Sequence, residues 1–249
     1  MKKYVLFCIF LLMLTAAASV YAQENGFVNP EYSPEYKAQQ EQRLMTVEQT
    51  FPRLLLWNTY DGTEKPETST PGEGYYHYKA NRAGKREMML ASAYPAAIDK
   101  GWGEHYFNIT GSYTEFYLSA DVQIIEQDGN GKGYAWIQYT DGNLVGDEAR
   151  TAAEIDFPFS IRKKETGPNG GINTDYYDLS RFRGDRSPHK IEMIRQNGLT
   201  SIFIDGSFIT EFADGLSGRF YTLYGVGLKQ GGSYVTGQFD NYIVRFNNY

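Results

Sequence analysis

Cysteine is nearly missing from this chain: among 249 residues only Cys8 carries a thiol, and it stands in an apolar run near the start. A disulfide framework, a zinc–thiolate site and a cysteine nucleophile are therefore excluded for everything downstream. Histidine is scarce, and His77, His105 and His189 lie without the spacing of a metal site. His105, in GWGEHYF, reads as a loop residue rather than a catalyst. Positive charge is in deficit, 24 Lys and Arg against 30 Asp and Glu, for a formal net charge of −6. Nucleic acid and anionic lipid both reward clustered positive charge, so neither is an expected partner. Beyond the run from Tyr4 to Leu14 no long apolar stretch occurs, and no membrane span is expected. The chain has no Gly-x-Ser-x-Gly, no phosphate loop, no dinucleotide fingerprint and no repeat of fixed length.

The apolar run follows two lysines and ends in Val20-Tyr21-Ala22, the pattern of a signal peptide over residues 1–22. Export to a bacterial periplasm or exterior is the expected localisation. A domain without disulfides must then rest on a real hydrophobic core.

Tyrosine and glycine are plentiful, at 21 and 26 residues. Tyrosine-rich stretches punctuated by glycine turns favour β-structure, and tyrosine is also a favoured contact residue at binding surfaces. Residues 23–50 form a polar N-terminal arm. Within it Ser33 followed by Pro34 predicts a helix start, and Tyr36, Leu44 and Val47 give the helix a thin apolar stripe. That stripe suits a strut packed on the domain and an arm engaging a neighbour equally well.

Residues 51–249 read as one β-sandwich domain of many short strands. GYAWIQYT (133–140) alternates two faces. HKIEMIRQ and TSIFIDGSFITEF are expected to turn at Asn197-Gly198 and Asp205-Gly206. EIDFPFSIRK (154–163) reads as one strand with Ile155, Phe157, Phe159 and Ile161 on the core face and Glu154, Asp156, Pro158, Ser160 and Arg162 opposite. A long polar loop is expected from Glu165 to about Asp185.

Three pieces together resemble the concanavalin A-like jelly roll, the group that includes legume-type lectins, laminin G-like domains and family-sixteen glycoside hydrolases. They are GYAWIQYT, KIEMIRQNGLTSIFIDG and YGVGLKQGGSYVTGQFDNYIVRF. The resemblance implies an all-β antiparallel jelly-roll sandwich, here with a short N-terminal helical arm. The hydrolases carry Glu-x-Asp-x-Glu on a strand facing the sugar. Glu154 and Asp156 match the nucleophile and its neighbour, but the general-acid position falls on Pro158, or on Phe159 if one residue bulges, and neither donates a proton. A non-catalytic protein is therefore expected. Resemblance also implies one structural calcium at most, with Asp240 in QFDNY at the matching position, and no other cofactor. Lectin-like sugar contacts fall to aromatic platforms: Trp102, Tyr134 and Trp136 are the candidates, with Trp57, Tyr113 and Tyr117 behind them.

A second likeness rests on the export signal, AYPAAI (93–98) and the FDNYIV ending, which look like the outer-layer sheath proteins of periplasmic flagella in spirochaetes. It implies a structural subunit docking on a protein partner in an envelope or filament assembly, itself glycosylated in some cases. The expected function is thus an exported structural or interaction protein, with a stand-alone glycan-binding lectin as the alternative and, behind both, a retaining glycoside hydrolase with Glu154 as nucleophile, Asp156 beside it and its acid supplied by another strand.

Overall fold

A computed structural model describes residues 32–58, 69–71, 75–80, 87–92, 102–109, 115–127, 133–140, 151–166, 172–214, 220–228 and 234–247. The leader and AYPAAI lie outside these residues. Helix α1 (Pro34–Met45) opens at Ser33, whose hydroxyl accepts from the Tyr36 N–H at 3.2 Å, and the short helix α2 (Val47–Thr50) follows. Neither is long and apolar enough to cross a membrane.

Strands follow in chain order: β1 (Arg53–Asn58), β2 (Ser69–Pro71), β3 (Tyr75–Ala80), β4 (Glu87–Ser92), β5 (Trp102–Ile109), β6 (Phe116–Gln127), β7 (Gly133–Thr140) and β8 (Thr151–Phe157). The remainder are β9 (Ser160–Thr166), β10 (Ile172–Asp178), β11 (His189–Gln196), β12 (Leu199–Ile204), β13 (Ser207–Ala213), β14 (Phe220–Leu228) and β15 (Tyr234–Phe246). One sheet runs β13-β12-β11-β6-β15-β4-β3, with β1 also on β15; the other runs β10-β9-β8-β7-β14-β5-β2. The described pairings are antiparallel. This is the all-β sandwich that the alternating strands require.

Between the sheets lies a core of Leu118, Ala120 and Val122 from the first sheet against Ile137, Tyr139, Ile155, Tyr224 and Val226 from the second. At Gly237 the sheets come so near that a Cβ would stand 2.4 Å from Val226 Cγ1, which excludes any side chain there. A second cluster sits on the outer face of the first sheet, where Tyr36, Leu44 and Val47 pack on Phe51, Tyr117, Ile194, Phe203 and Phe208. The helical stripe is thus covered by its own domain.

The hairpin turns fall at Asn197-Gly198 and Asp205-Gly206, all four with positive φ, as the primed turns require. Three local expectations need correction. EIDFPFSIRK is not one strand: β8 ends at Phe157, the chain turns through Pro158 and Phe159 after a cis Phe157–Pro158 bond, and β9 returns against it. Alternation missed the turn because Ile155 pairs with Ile161 and Asp156 with Ser160, a three-residue connection that keeps odd and even positions on the same faces. The polar stretch after Glu165 contains β10, paired with β9 along its length. His105 and Trp102 lie in β5, a strand that the flanking glycines concealed.

Candidate functional site

Backbone register assembles a site on the face of the second sheet turned away from the core. One row runs from Trp102 on β5 through Gly227 on β14 to Tyr134 on β7. The next runs Glu104, Gly225, Trp136, Asp156, Ser160 and Asp178, and the one after it Tyr106, Leu223, Gln138, Glu154, Arg162 and Tyr176. Two of the three candidate platform residues, far apart in the chain, thus flank the same glycine, and the third lies one row over.

Gly227 is required there: a Cβ would meet the Tyr134 ring at 2.5 Å from Cζ, so the phenol lies across the glycine toward β5. Tyr134 is half-buried, and its ring meets Phe159 edge to face at 6.4 Å. Trp136 is only 6 % exposed, so its ring is enclosed rather than laid open. The Trp102 backbone is described and its side chain is not, as for Trp57 on β1; Tyr113 lies outside the described residues. Tyr117 belongs to the other sheet, where its hydroxyl donates to Glu192 Oε1 at 2.6 Å beneath the helix.

Glu154 and Asp156 are buried although they face away from the core. Arg162, across the hairpin on β9, explains how: its guanidinium donates to Glu154 Oε1 and, at 3.1 Å, to Asp156 Oδ1. Burial disfavours its charge, and the two carboxylates outweigh that, holding Arg162 more firmly protonated than an ordinary arginine. Retaining sugar hydrolysis needs a proton-donating carboxyl roughly 5 Å from the nucleophile. Along this strand the required position is Pro158, in the turn, and the carboxylate pair is clasped by a cation that offers no acid of useful strength. Arg162 is the residue sequence reading passed over; its one signal was a cation eight positions after Glu154 across a proline.

Asp240 stands opposite Asp121 at a bulge between β15 and β6. Asp240 Oδ1 accepts the Asn241 backbone N–H and Asp121 Oδ2 accepts the Asn241 side-chain amide, both at 2.8 Å, and Asn241 has φ of 48°. Calcium asks for about six to eight oxygens. Among the described residues no group of three His, Cys, Asp or Glu side chains gathers in a metal-like cluster, and at this bulge the two carboxylates hold Asn241. His189 is buried against Phe157 and Phe182 with Nδ1 2.7 Å from Asp205 Oδ2, a structural placement. His77 lies on β3 opposite Leu90.

No protein-family model matches the sequence, and no curated protein matches it significantly. The structure is similar to the catalytic domain of an endo-1,3-beta-glucanase (laminarinase) from Thermotoga petrophila, at 12 % identity and TM-score 0.54 over 79 % of this chain and 98 % of that one. It is similar to a family 16 glycoside hydrolase endo-glucanase from Bacteroides ovatus, at 11 % identity and TM-score 0.56 over 76 % and 99 %. It also resembles a Bacillus subtilis protein of unknown function with a galectin-like fold, at 10 % identity and TM-score 0.53 over 80 % and 99 %. At these identities the likeness establishes the concanavalin A-like jelly roll and nothing finer.

Proposed function

We propose that the protein is an exported, non-catalytic, carbohydrate-binding sandwich that lays a glycan along the Trp102–Gly227–Tyr134 row. The observation that carries this reading is Arg162 clasping both Glu154 and Asp156 where a hydrolase needs one free nucleophile and one acid. A half-exposed tyrosine lying flat over a glycine offers the apolar face on which sugar rings stack. The fold it shares with two glucanases supports a sugar as the ligand class, and β-glucans are the first to try.

The reading as a sheath subunit needs a surface that docks on a filament, and the arm was its best candidate. With Tyr36, Leu44 and Val47 packed on the domain's own first sheet, that stripe is not available for a partner. This favours the glycan reading over the sheath reading.

The test is calorimetric titration with β-1,3-linked and mixed-linkage gluco-oligosaccharides beside a reducing-sugar assay. Binding without hydrolysis, weakened about tenfold by Tyr134→Ala at unchanged melting temperature, is the expected result. Sugar release that disappears in Glu154→Gln would instead make the protein a hydrolase.

A further inference from the structure

The loop between β10 and β11 carries three exposed arginines, Arg181, Arg183 and Arg186, in a chain that is acidic as a whole. Arg186 is engaged, donating to the Ile125 carbonyl at 3.2 Å. Arg181 and Arg183 are not: each guanidinium lies over an aromatic ring, Arg181 4.9 Å from the centre of Phe182 and Arg183 5.3 Å from that of Phe159. Among the described residues neither makes an ion pair. Asp178 is the acid whose field Arg183 feels, but both its oxygens already accept from Ser180, Oδ1 from the backbone N–H at 3.0 Å and Oδ2 from the hydroxyl. Contrast Arg162, which is neutralised by two carboxylates a few residues away.

The loop is also held in place. Leu179 N–H donates to the Phe159 carbonyl at 2.9 Å, Arg183 N–H to Ser180 at 3.0 Å and Asp185 N–H to Phe182 at 3.0 Å. Phe159, the ring under Arg183, is the one whose edge meets Tyr134. A guanidinium held over a ring face spends no N–H group on a carboxylate and keeps its fork of donors for carboxylate or sulfate oxygens.

We infer that Arg183, beside Phe159 and Tyr134, forms an anion subsite with Arg181, two residues before it in the same loop, so that the preferred glycan carries an acidic sugar, carboxylated or sulfated. The inference rests on the glycan-binding reading and narrows its ligand class.

The exported protein is titrated with three oligosaccharides of equal length: a neutral β-1,3-glucan, an oligogalacturonate and a sulfated galactan. One or both acidic sugars should bind about tenfold tighter than the neutral one at low salt, with the advantage falling as ionic strength rises. Which of the two does so distinguishes carboxylate from sulfate. Arg181→Gln combined with Arg183→Gln should erase the advantage while leaving neutral-glucan affinity and melting temperature unchanged. Neutral binding with no acidic preference, or a preference that survives the double variant, overturns the subsite and leaves the glycan reading standing. Absence of binding to all three overturns both.

Discussion

Asp214, just after β13, is where removing one side chain should do the most damage. Its carboxylate takes Arg195 in two-pronged fashion, Nε at 3.0 Å and Nη2 at 2.7 Å, and also accepts from the Tyr139 hydroxyl at 2.7 Å and Thr200 Oγ1 at 2.9 Å. Arg195 and Thr200 belong to the first sheet and Tyr139 to the second, so the group fastens the sandwich across its core. The two charged side chains are 4 % and 1 % exposed. Asp214→Ala leaves a buried guanidinium and two buried hydroxyls without this acceptor, a loss of about 3–5 kcal/mol. Against a total stability of roughly 5–15 kcal/mol that is a large fraction. With a urea dependence of about 2 kcal/mol per molar, the midpoint should fall by about 2 M at unchanged slope. Replacing both charges, Arg195→Leu with Asp214→Leu, should return most of the loss because no charge is then left unpaired. A loss under about 1 kcal/mol in Asp214→Ala, or a double variant as weak as the single one, refutes the reasoning.

Tyr36, Tyr117, Tyr139 and Tyr242 are all pushed above the ordinary tyrosine range, in each case chiefly by burial and in the first three also by a neighbouring carboxylate. A group whose folded pKa is raised contributes stability that is fully present below its unfolded pKa and lost as pH rises toward the folded one. Stability should therefore hold up to about pH 10 and fall above it, with the phenolate absorbance of these four tyrosines, out of 21, delayed until the chain unfolds; ionisation of all the tyrosines in a still folded chain would contradict this. On edge strand β13, Tyr32 Oη accepts the Glu211 N–H at 3.1 Å and Glu41 accepts the Phe208 N–H at 3.2 Å. Tyr32→Phe with Glu41→Ala frees those edge donors and should raise self-association by light scattering, whereas a monodisperse double variant would show that the arm is not guarding the edge. A chelator should leave the melting temperature unchanged, because Asn241 already engages Asp240 and Asp121; a drop reversed by calcium would put an ion at that bulge.

Legibility followed the range of the interaction. Ser33-Pro34 announced α1 and the Asn197-Gly198 and Asp205-Gly206 pairs announced their hairpins, since caps and turns are set by adjacent residues. Where the same local pattern serves two geometries, reading failed: the alternation from Glu154 to Arg162 is identical for a straight strand and for a hairpin with a three-residue connection, and only Pro158 hinted at the break. The helical stripe was visible as a stripe, but what covers it depends on Phe203 and Phe208, some 160 residues on. Trp102 and Tyr134 stand out as candidates through the lectin-like resemblance; that they flank one glycine is a property of strand order across β5, β14 and β7.

The same distinction bears on the chemistry. Glu154 and Asp156 spell most of a hydrolase motif along one strand, and their spacing by itself permits catalysis. Their partner is fixed by register, because the turn at Pro158 brings β9 back so that Arg162 sits directly opposite Glu154 and reaches Asp156. One turn thereby does two things: it removes the position where the general acid would stand, and it delivers a cation to the carboxylates that remain. The hairpin tip also carries Phe159, which supports Arg183 on one side and meets Tyr134 on the other. The hairpin that argues against bond cleavage on this face is therefore also the one that carries the ring beneath the proposed anion subsite.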